Sequence, residues 1–160
     1  MLTIQILCVG KIKESFLKDA IAEYQKRLSK YCHLIITELP DERLPNKLND
    51  TLKDNIKEIE CQRILSHLKK DSYVFTLDLK GKSYSSEEFS HKIEDIALNQ
   101  NSTITFIIGG TLGLNHSIYQ NSNELISFSK MTFPHQLMRL FLLEQLFRAF
   151  KISNGEHYHW

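Results

Sequence analysis

The stretch TITFIIGGTLG (residues 103–113) decides the class of fold. The part over residues 103–108 is mostly β-branched and apolar, which is typical of a central strand buried on both faces of a parallel sheet. The glycines that follow, Gly109, Gly110 and Gly113, predict a tight turn at the carboxyl end of that strand. A strand of this kind needs helices on both sides of its sheet.

Strands and helices alternate along the rest of the chain. The predicted strands cover residues 2–9, 33–39, 73–79, 103–108 and 125–129, and a turn at Gly81 follows the third. The predicted helices cover residues 16–28, 52–68, 85–98 and 115–120, and a last helix has Thr132 as its cap and Pro134 near its first turn. This order predicts an α/β fold, with one domain over residues 1–160, a mostly parallel sheet of five to six strands and helices on both faces.

The composition excludes several classes of protein. Of the 160 residues, 42% are hydrophobic and 24% are charged, which argues against disorder. The formal net charge is +1, so a polyanionic partner must be bound by a local cluster of residues or recognised by its shape rather than by bulk charge. No apolar run is long enough for a transmembrane helix, and the first residues do not resemble a signal peptide. The sequence therefore predicts a cytoplasmic protein.

The cysteines and histidines lack the spacing of a reactive or metal-binding site. Cys8, Cys32 and Cys61 form no CxxC pair, and we interpret them as buried thiols in a reducing compartment. The seven histidines are scattered without an HExxH motif, so no metal site is predicted.

Three segments follow predicted strands, at residues 77–81, 109–113 and 128–133. In doubly wound folds, ligands bind beyond the carboxyl ends of the strands, so these segments are the candidates for a binding crevice. The standard nucleotide motifs GxGxxG and GxxxxGK[ST] are absent. The glycines at 109–113 would let a nucleoside approach the backbone closely, although a tight turn explains them equally well.

The last helix and the tail carry further signals. Apolar residues cover more than half of the helix circumference, which predicts burial on two sides and hence a homodimer. Glu144, Arg148 and Lys151 share one stripe, where Glu144 and Arg148 have the spacing of an ordinary solvated ion pair. The tail at residues 155–160 combines aromatic and imidazole groups, which can stack on a base and exchange a proton near neutral pH.

The segment SFSKMTFPHQ (residues 127–136) is very similar to the signature of the ribosomal RNA large subunit methyltransferase H family, a group of small SPOUT-class pseudouridine N3-methyltransferases. The resemblance extends over essentially the whole chain. Supporting matches are VGK at 9–11, EYxKRL at 23–28, PDE at 40–42, GK at 81–82, IIGG at 107–110, GL at 113–114, EQxFRA at 144–149 and YH at 158–159.

The resemblance implies a fold and a cofactor. The family has a SPOUT-type sheet whose C-terminal segment forms a trefoil knot, and the knot holds S-adenosyl-L-methionine as the methyl donor. The cofactor contacts carried over to this sequence are Leu77, Gly109, Phe128, Ser129, Lys130, Met131, Thr132 and Phe133.

The resemblance also implies a reaction and partners. The expected activity is methyl transfer to N3 of a pseudouridine in 23S ribosomal RNA within the assembled 70S ribosome, by a homodimer that needs no metal. The residues expected on the substrate side are Tyr158, His159, Glu144 and Arg148. In this hypothesis Arg148 holds a phosphate or a base carbonyl and Glu144 orients it, while Tyr158 and His159 place the base and handle its proton.

One position departs from the family pattern, since Trp160 stands where relatives carry Lys or Arg after the Tyr-His pair. A catalytically impaired, ribosome-associated protein that binds S-adenosylmethionine is therefore an alternative. A flavodoxin-like module that binds a mononucleotide has the same order of strands and helices. A methyltransferase that acts on transfer RNA or on another base would share the fold and the cofactor.

Overall fold

Five strands form one sheet in the computed structural model, which describes residues 1–99 and 101–158. Every strand pair is parallel, and the spatial order is β2-β1-β4-β3-β5. The strands are β1 (Thr3–Val9), β2 (His33–Leu39), β3 (Tyr73–Ser83), β4 (Thr103–Ile108) and β5 (Glu124–Ser127). This arrangement confirms the predicted α/β class, with five strands.

Helices cover both faces of the sheet, as the alternation predicts. They are α1 (Ser15–Leu28), α2 (Asp50–Ser66), α3 (Ser86–Asn99), α4 (His116–Gln120) and α5 (His135–Ser153). On one face, α1, α3 and α5 pack over a large core, and on the other α2 and α4 pack over a smaller one. Among the described residues, no helix combines the length and the apolar character needed to cross a membrane.

Successive side chains of the central strands point to opposite faces of the sheet, so each strand contributes to both cores. Ile104, Phe106 and Ile108 of β4 point into the larger core, and Ile107 points into the smaller one. The ring of Phe106 stacks on that of Phe75 from β3, with centroids 5.1 Å apart. Because both faces of β4 are buried, close packing holds its carboxyl end in a defined position.

Strand β3 runs further than predicted, and the prediction of a turn at Gly81 is wrong. Leu77 and Lys82 both pair with Ile126 of β5, so the residues between them form an irregularity inside a strand that continues to Ser83. A Cβ atom on Gly81 would lie 2.5 Å from the backbone N of Ile126. Glycine is needed here because β3 and β5 touch backbone to backbone, and this contact forms one side of the strand-end region.

Helix α5 begins one residue after Pro134, so the predicted cap at Thr132 was wrong. Pro134 is the N-cap, its backbone is extended (ψ 138°), and its carbonyl accepts from the Met138 N–H at 3.1 Å. The ring fixes φ and the extended ψ keeps Pro134 outside the helix, so the first helical residue is His135. The capping box that opens α3 is confirmed, because Ser85 Oγ accepts from the Glu88 N–H at 3.0 Å.

Candidate functional site

A cavity of about 470 Å³ lies at the carboxyl ends of β4 and β5, beside the irregularity that follows Leu77 in β3. All three segments that the sequence predicts for a binding crevice contribute to its walls. Of the eight residues expected to contact a cofactor, these seven line it: Leu77, Gly109, Phe128, Ser129, Met131, Thr132 and Phe133. Lys130 is the one of the eight that does not line this cavity. The volume is within the usual range for a small-molecule site.

The glycine turn after β4 forms a wall made of backbone. Gly113 has φ +82°, and its N–H donates to the Gly110 carbonyl at 3.0 Å, which closes the turn. A Cβ atom on Gly109 would lie 2.8 Å from Cγ of Leu114. Glycine at 109 is therefore required by the packing of Leu114, and the tight turn is confirmed, while the approach of a nucleoside to this backbone stays a prediction.

The loop after β5 forms the opposite wall. Ser129 Oγ accepts from the Met131 N–H at 3.0 Å, and the Ser129 carbonyl accepts from Ser127 Oγ at 3.0 Å. These local bonds hold the loop in a compact turn. Met131 is 71% exposed and Leu79, across the mouth, is 54% exposed. Apolar side chains that project into water at a cavity mouth are suited to covering a bound ligand.

Asp78 places a carboxylate in the cavity that sequence reasoning did not single out. Its Oδ2 accepts from the Tyr119 hydroxyl at 2.7 Å, and its Oδ1 accepts from the Lys80 N–H at 2.8 Å. Burial, followed by the bond to Asp78, raises the pKa of Tyr119 to about 12. The position of Asp78 inside the predicted crevice segment 77–81 was the signal that could have identified it.

Tyr158, Glu144 and Arg148 are brought together beyond this cavity. Glu144 accepts from Arg148 Nε at 2.9 Å and from the Tyr158 hydroxyl at 3.2 Å. The Arg148 guanidinium lies over the Tyr158 ring, 4.7 Å from its centroid. Both members of the ion pair are only about a quarter exposed, so they are not an ordinary solvated pair. His159 and Trp160 lie outside the described residues.

The environment of Tyr158 favours the protonated form of its phenol. Burial, then contacts with Tyr24 and Glu144, raise the pKa of the Tyr158 phenol to about 12. At neutral pH the hydroxyl therefore keeps its proton and acts as a donor. Lys151, the third residue of the predicted stripe, instead pairs with Glu156 at 2.7 Å.

A buried arginine joins the first strand to the last helix, and the sequence analysis missed it. Arg139 pairs with Glu38 at 2.9 Å and donates to the carbonyls of Val9 and Gly10, each at 2.8 Å. The sequence did contain a signal for this role, because Arg139 is a charged residue among the apolar positions of a helix that is predicted to be buried. His135, one turn earlier, lines the cavity, and burial and Arg139 lower its pKa, so its ring is neutral at pH 7.

The other candidate groups take no part in this site. Cys8, Cys32 and Cys61 are buried, and burial raises the pKa of each thiol. Within the part of the chain that the structure describes, no three His, Cys, Asp or Glu side chains converge to hold a metal ion.

Comparisons with known proteins show the family and the fold of the chain. A family model described as "Predicted SPOUT methyltransferase" matches residues 2–159. The chain is 56% identical to the ribosomal RNA large subunit methyltransferase H of Clostridium botulinum (strain Kyoto / Type A2) and 50% identical to that of Lactobacillus acidophilus, each over 99% of both chains. The crystal structure of a probable methyltransferase from Bordetella pertussis Tohama I has a similar fold, with a TM-score of 0.58 at 10% identity over 92% of this chain and 93% of that one.

Proposed function

The chain belongs to the SPOUT methyltransferase family, and on that premise we propose that it transfers a methyl group from S-adenosylmethionine to large-subunit ribosomal RNA. One observation carries this proposal. Seven residues expected to contact the cofactor line one cavity at the strand ends, and the three described residues expected on the substrate side form a separate cluster. An enzyme with this substrate works where ribosomes are, in the cytoplasm.

The residues of the first cavity fit the proposed cofactor. Leu77 and Phe128 offer apolar surface for a purine, and the turn from Gly109 to Gly113 lines the same cavity, where its peptide groups can hydrogen-bond to a ligand. Asp78 is a carboxylate at the same wall, suited to a hydroxyl or ammonium group. When bound, S-adenosylmethionine supplies an electrophilic methyl group on its sulfonium.

The finer proposal concerns the atom that is methylated, which is N3 of a pseudouridine in 23S ribosomal RNA. This nitrogen must lose a proton before or during transfer, so the site needs a proton acceptor. Tyr158 is a poor acceptor because its phenol stays protonated and donates to Glu144, so it helps to place the base rather than to take the proton. In this scheme Arg148 holds a phosphate or a base carbonyl, Glu144 orients Arg148, and His159 is the candidate to accept the proton.

The proposed enzyme is a homodimer that acts on the assembled 70S ribosome. Leu137 and Leu140 of α5 are only partly buried in the single chain, which leaves an apolar face for a second copy to cover. With a net charge of +1, the chain lacks a general polybasic surface, so recognition of one folded ribosomal surface by shape suits it better.

Transfer of labelled methyl from S-adenosylmethionine tests the proposal. The substrates are 70S ribosomes, isolated large subunits and naked 23S RNA, all from a strain that lacks this enzyme, and cofactor binding is measured in parallel by calorimetry. We expect incorporation with 70S ribosomes and little with the other two. Cofactor binding without incorporation into any RNA would instead support the impaired, ribosome-associated alternative.

A further inference from the structure

A second cavity, of about 400 Å³, adjoins the first. The two share Ile126 and Ser127 at the end of β5 and Phe128, Ser129 and Phe133 after it, so the end of β5 and the segment that follows border both cavities. Glu144 lies in the wall of the second cavity. This cavity therefore connects the proposed cofactor site with the cluster of Glu144, Arg148 and Tyr158.

The walls of the second cavity are largely aromatic. Phe133 and Phe141 meet edge to face, with ring centroids 5.3 Å apart, and Phe128 meets Phe89 in the same way at 6.5 Å. Flat apolar faces of this kind stack well against an unpaired nucleobase, and sequence-specific RNA recognition commonly takes a base out of its stack. The space suits one nucleoside.

One edge of the cavity is polar and has a defined orientation. Ser86 Oγ donates to Gln145 Oε1 at 2.8 Å, which fixes the amide so that its Nε2 is on the other side. That Nε2 lies 3.5 Å from Glu144 Oε1, a long contact that leaves donor capacity for a ligand. The cavity thus presents an amide donor next to a carboxylate acceptor.

This pair complements one edge of a uracil-type base. Such a base presents a carbonyl oxygen beside an N3–H group, that is, an acceptor beside a donor. We propose that the second cavity receives the target base of the RNA, with Gln145 donating to a carbonyl. Glu144, which also orients Arg148, accepts a hydrogen bond from N3–H until His159 takes the proton. Cytosine presents an amino donor and an unprotonated N3 instead, so the fixed amide disfavours it. The inference rests on the proposed function and makes Gln145 a specificity-determining residue.

The test uses the full-length chain and the variant Gln145→Leu, which keeps the approximate size but removes the amide. Methyl transfer to ribosomes should fall by at least about tenfold, while the dissociation constant for S-adenosylmethionine changes less than about twofold. The matched control is Gln62→Leu, on the exposed side of α2, which should transfer at the wild-type rate. A second variant, Ser86→Ala, leaves the Gln145 amide free to rotate and should reduce the preference for uridine over cytidine.

A direct readout of base binding uses free uridine and cytidine in saturation-transfer NMR. Uridine should show transfer with the wild-type chain and lose it with Gln145→Leu, and cytidine should show less throughout. This signal does not require methyl transfer, so a wild-type chain that binds uridine but methylates no RNA would contradict only the proposed function.

Three results would overturn the inference. The first is a wild-type transfer rate and unchanged uridine binding in Gln145→Leu. The second is cofactor binding that weakens in step with transfer, which would assign the second cavity to the cofactor. The third is a molar mass in solution that falls in step with transfer, which would assign it to a second copy of the chain.

Discussion

The hydroxyl of Tyr158 lies 3.2 Å from Oε2 of Glu144, and it joins the C-terminal tail to the middle of α5. Because the Tyr158 phenol keeps its proton, the bond runs from tyrosine to carboxylate. Arg148 holds the other oxygen of the same carboxylate at 2.9 Å. The tail is thereby held against a helix that also borders both cavities.

Replacing the hydroxyl of Tyr158 should slow methyl transfer without affecting the cofactor. In Tyr158→Phe the ring stays over Arg148, but the donor to Glu144 is lost, and we expect kcat to fall by about tenfold or more. The dissociation constant for S-adenosylmethionine should stay within about twofold, since Tyr158 does not line the first cavity. Labelled-methyl kinetics and calorimetry check the two expectations.

Tyr73→Phe is the matched control for that variant. Tyr73 also donates to a carboxylate, Glu124 at 3.1 Å, but it lies at the amino end of β3 and lines neither cavity. The Tyr73→Phe variant should therefore transfer methyl groups at the wild-type rate. Equal losses in both variants would mean that the Tyr158 hydroxyl has only a structural role.

A methyl group at Gly81 should destabilise the fold strongly. The added Cβ of Gly81→Ala would lie within 2.6 Å of backbone atoms of Leu125 and Ile126, which cannot rotate away. We expect a loss of about 3 kcal/mol in the free energy of unfolding. Gly155→Ala, where φ is +67° and nothing lies within 4 Å of the added atom, should cost only about 1 kcal/mol. Urea denaturation of both variants measures the difference, and similar costs would contradict the close contact of β3 with β5.

The fold was largely predictable from the sequence because its signals are local. The β-branched, apolar run of β4 and the helical spacing of the apolar residues elsewhere predicted the order of elements and the parallel sheet. The continuation of β3 past Gly81 was not predictable in this way. It depends on pairing with Ile126, which lies far along the chain, and periodicity carries no information on such contacts. The trefoil knot implied by the family resemblance stays a prediction.

The candidate site was predictable in part. Strand ends alone placed the three segments of the first cavity correctly, since ligands bind at that edge of a parallel sheet. The residues on the substrate side came from the resemblance, because nothing local distinguishes Glu144 and Arg148 from a solvated ion pair. Arg139 and Gln145 were missed, as their roles depend on partners in other elements, Glu38 and Ser86.

Loss of the buried Arg139 should cost much more than loss of an exposed arginine. Arg139→Met leaves two backbone carbonyls and Glu38 without their partner, and we expect a cost of about 3 kcal/mol in unfolding free energy. Arg27→Met removes the exposed pair with Glu23 and should cost far less than Arg139→Met. Thermal or urea denaturation compares them, and an equal cost would mean that Arg139 does not tie β1 to α5.

The buried thiols should react slowly in the folded protein. Burial raises the pKa of Cys8 to about 11 and that of Cys32 to about 12, from 9.0, so almost no thiolate forms at pH 8. A chromogenic disulfide reagent should therefore titrate the thiols rapidly only after denaturation. Rapid reaction of Cys8 or Cys32 in the native protein would contradict their burial.

The same shifts predict how stability depends on alkaline pH. Between pH 9 and about 11 the unfolded chain releases thiol protons that the folded chain retains, so the free energy of unfolding falls as pH rises. Cys8→Ala should reduce the slope of this decline relative to the wild-type chain. An unchanged slope in urea denaturation at pH 9 to 11 would rule out the Cys8 contribution.

The measurement that tests the central claim most directly is a nucleoside map of ribosomal RNA after reaction. Ribosomes from a strain that lacks this enzyme are incubated with the chain and labelled S-adenosylmethionine, and the RNA is digested and analysed by mass spectrometry. We predict label on N3 of a pseudouridine in the large-subunit RNA. Label on another base, or none in ribosomal RNA from a chain that binds S-adenosylmethionine, would contradict the account.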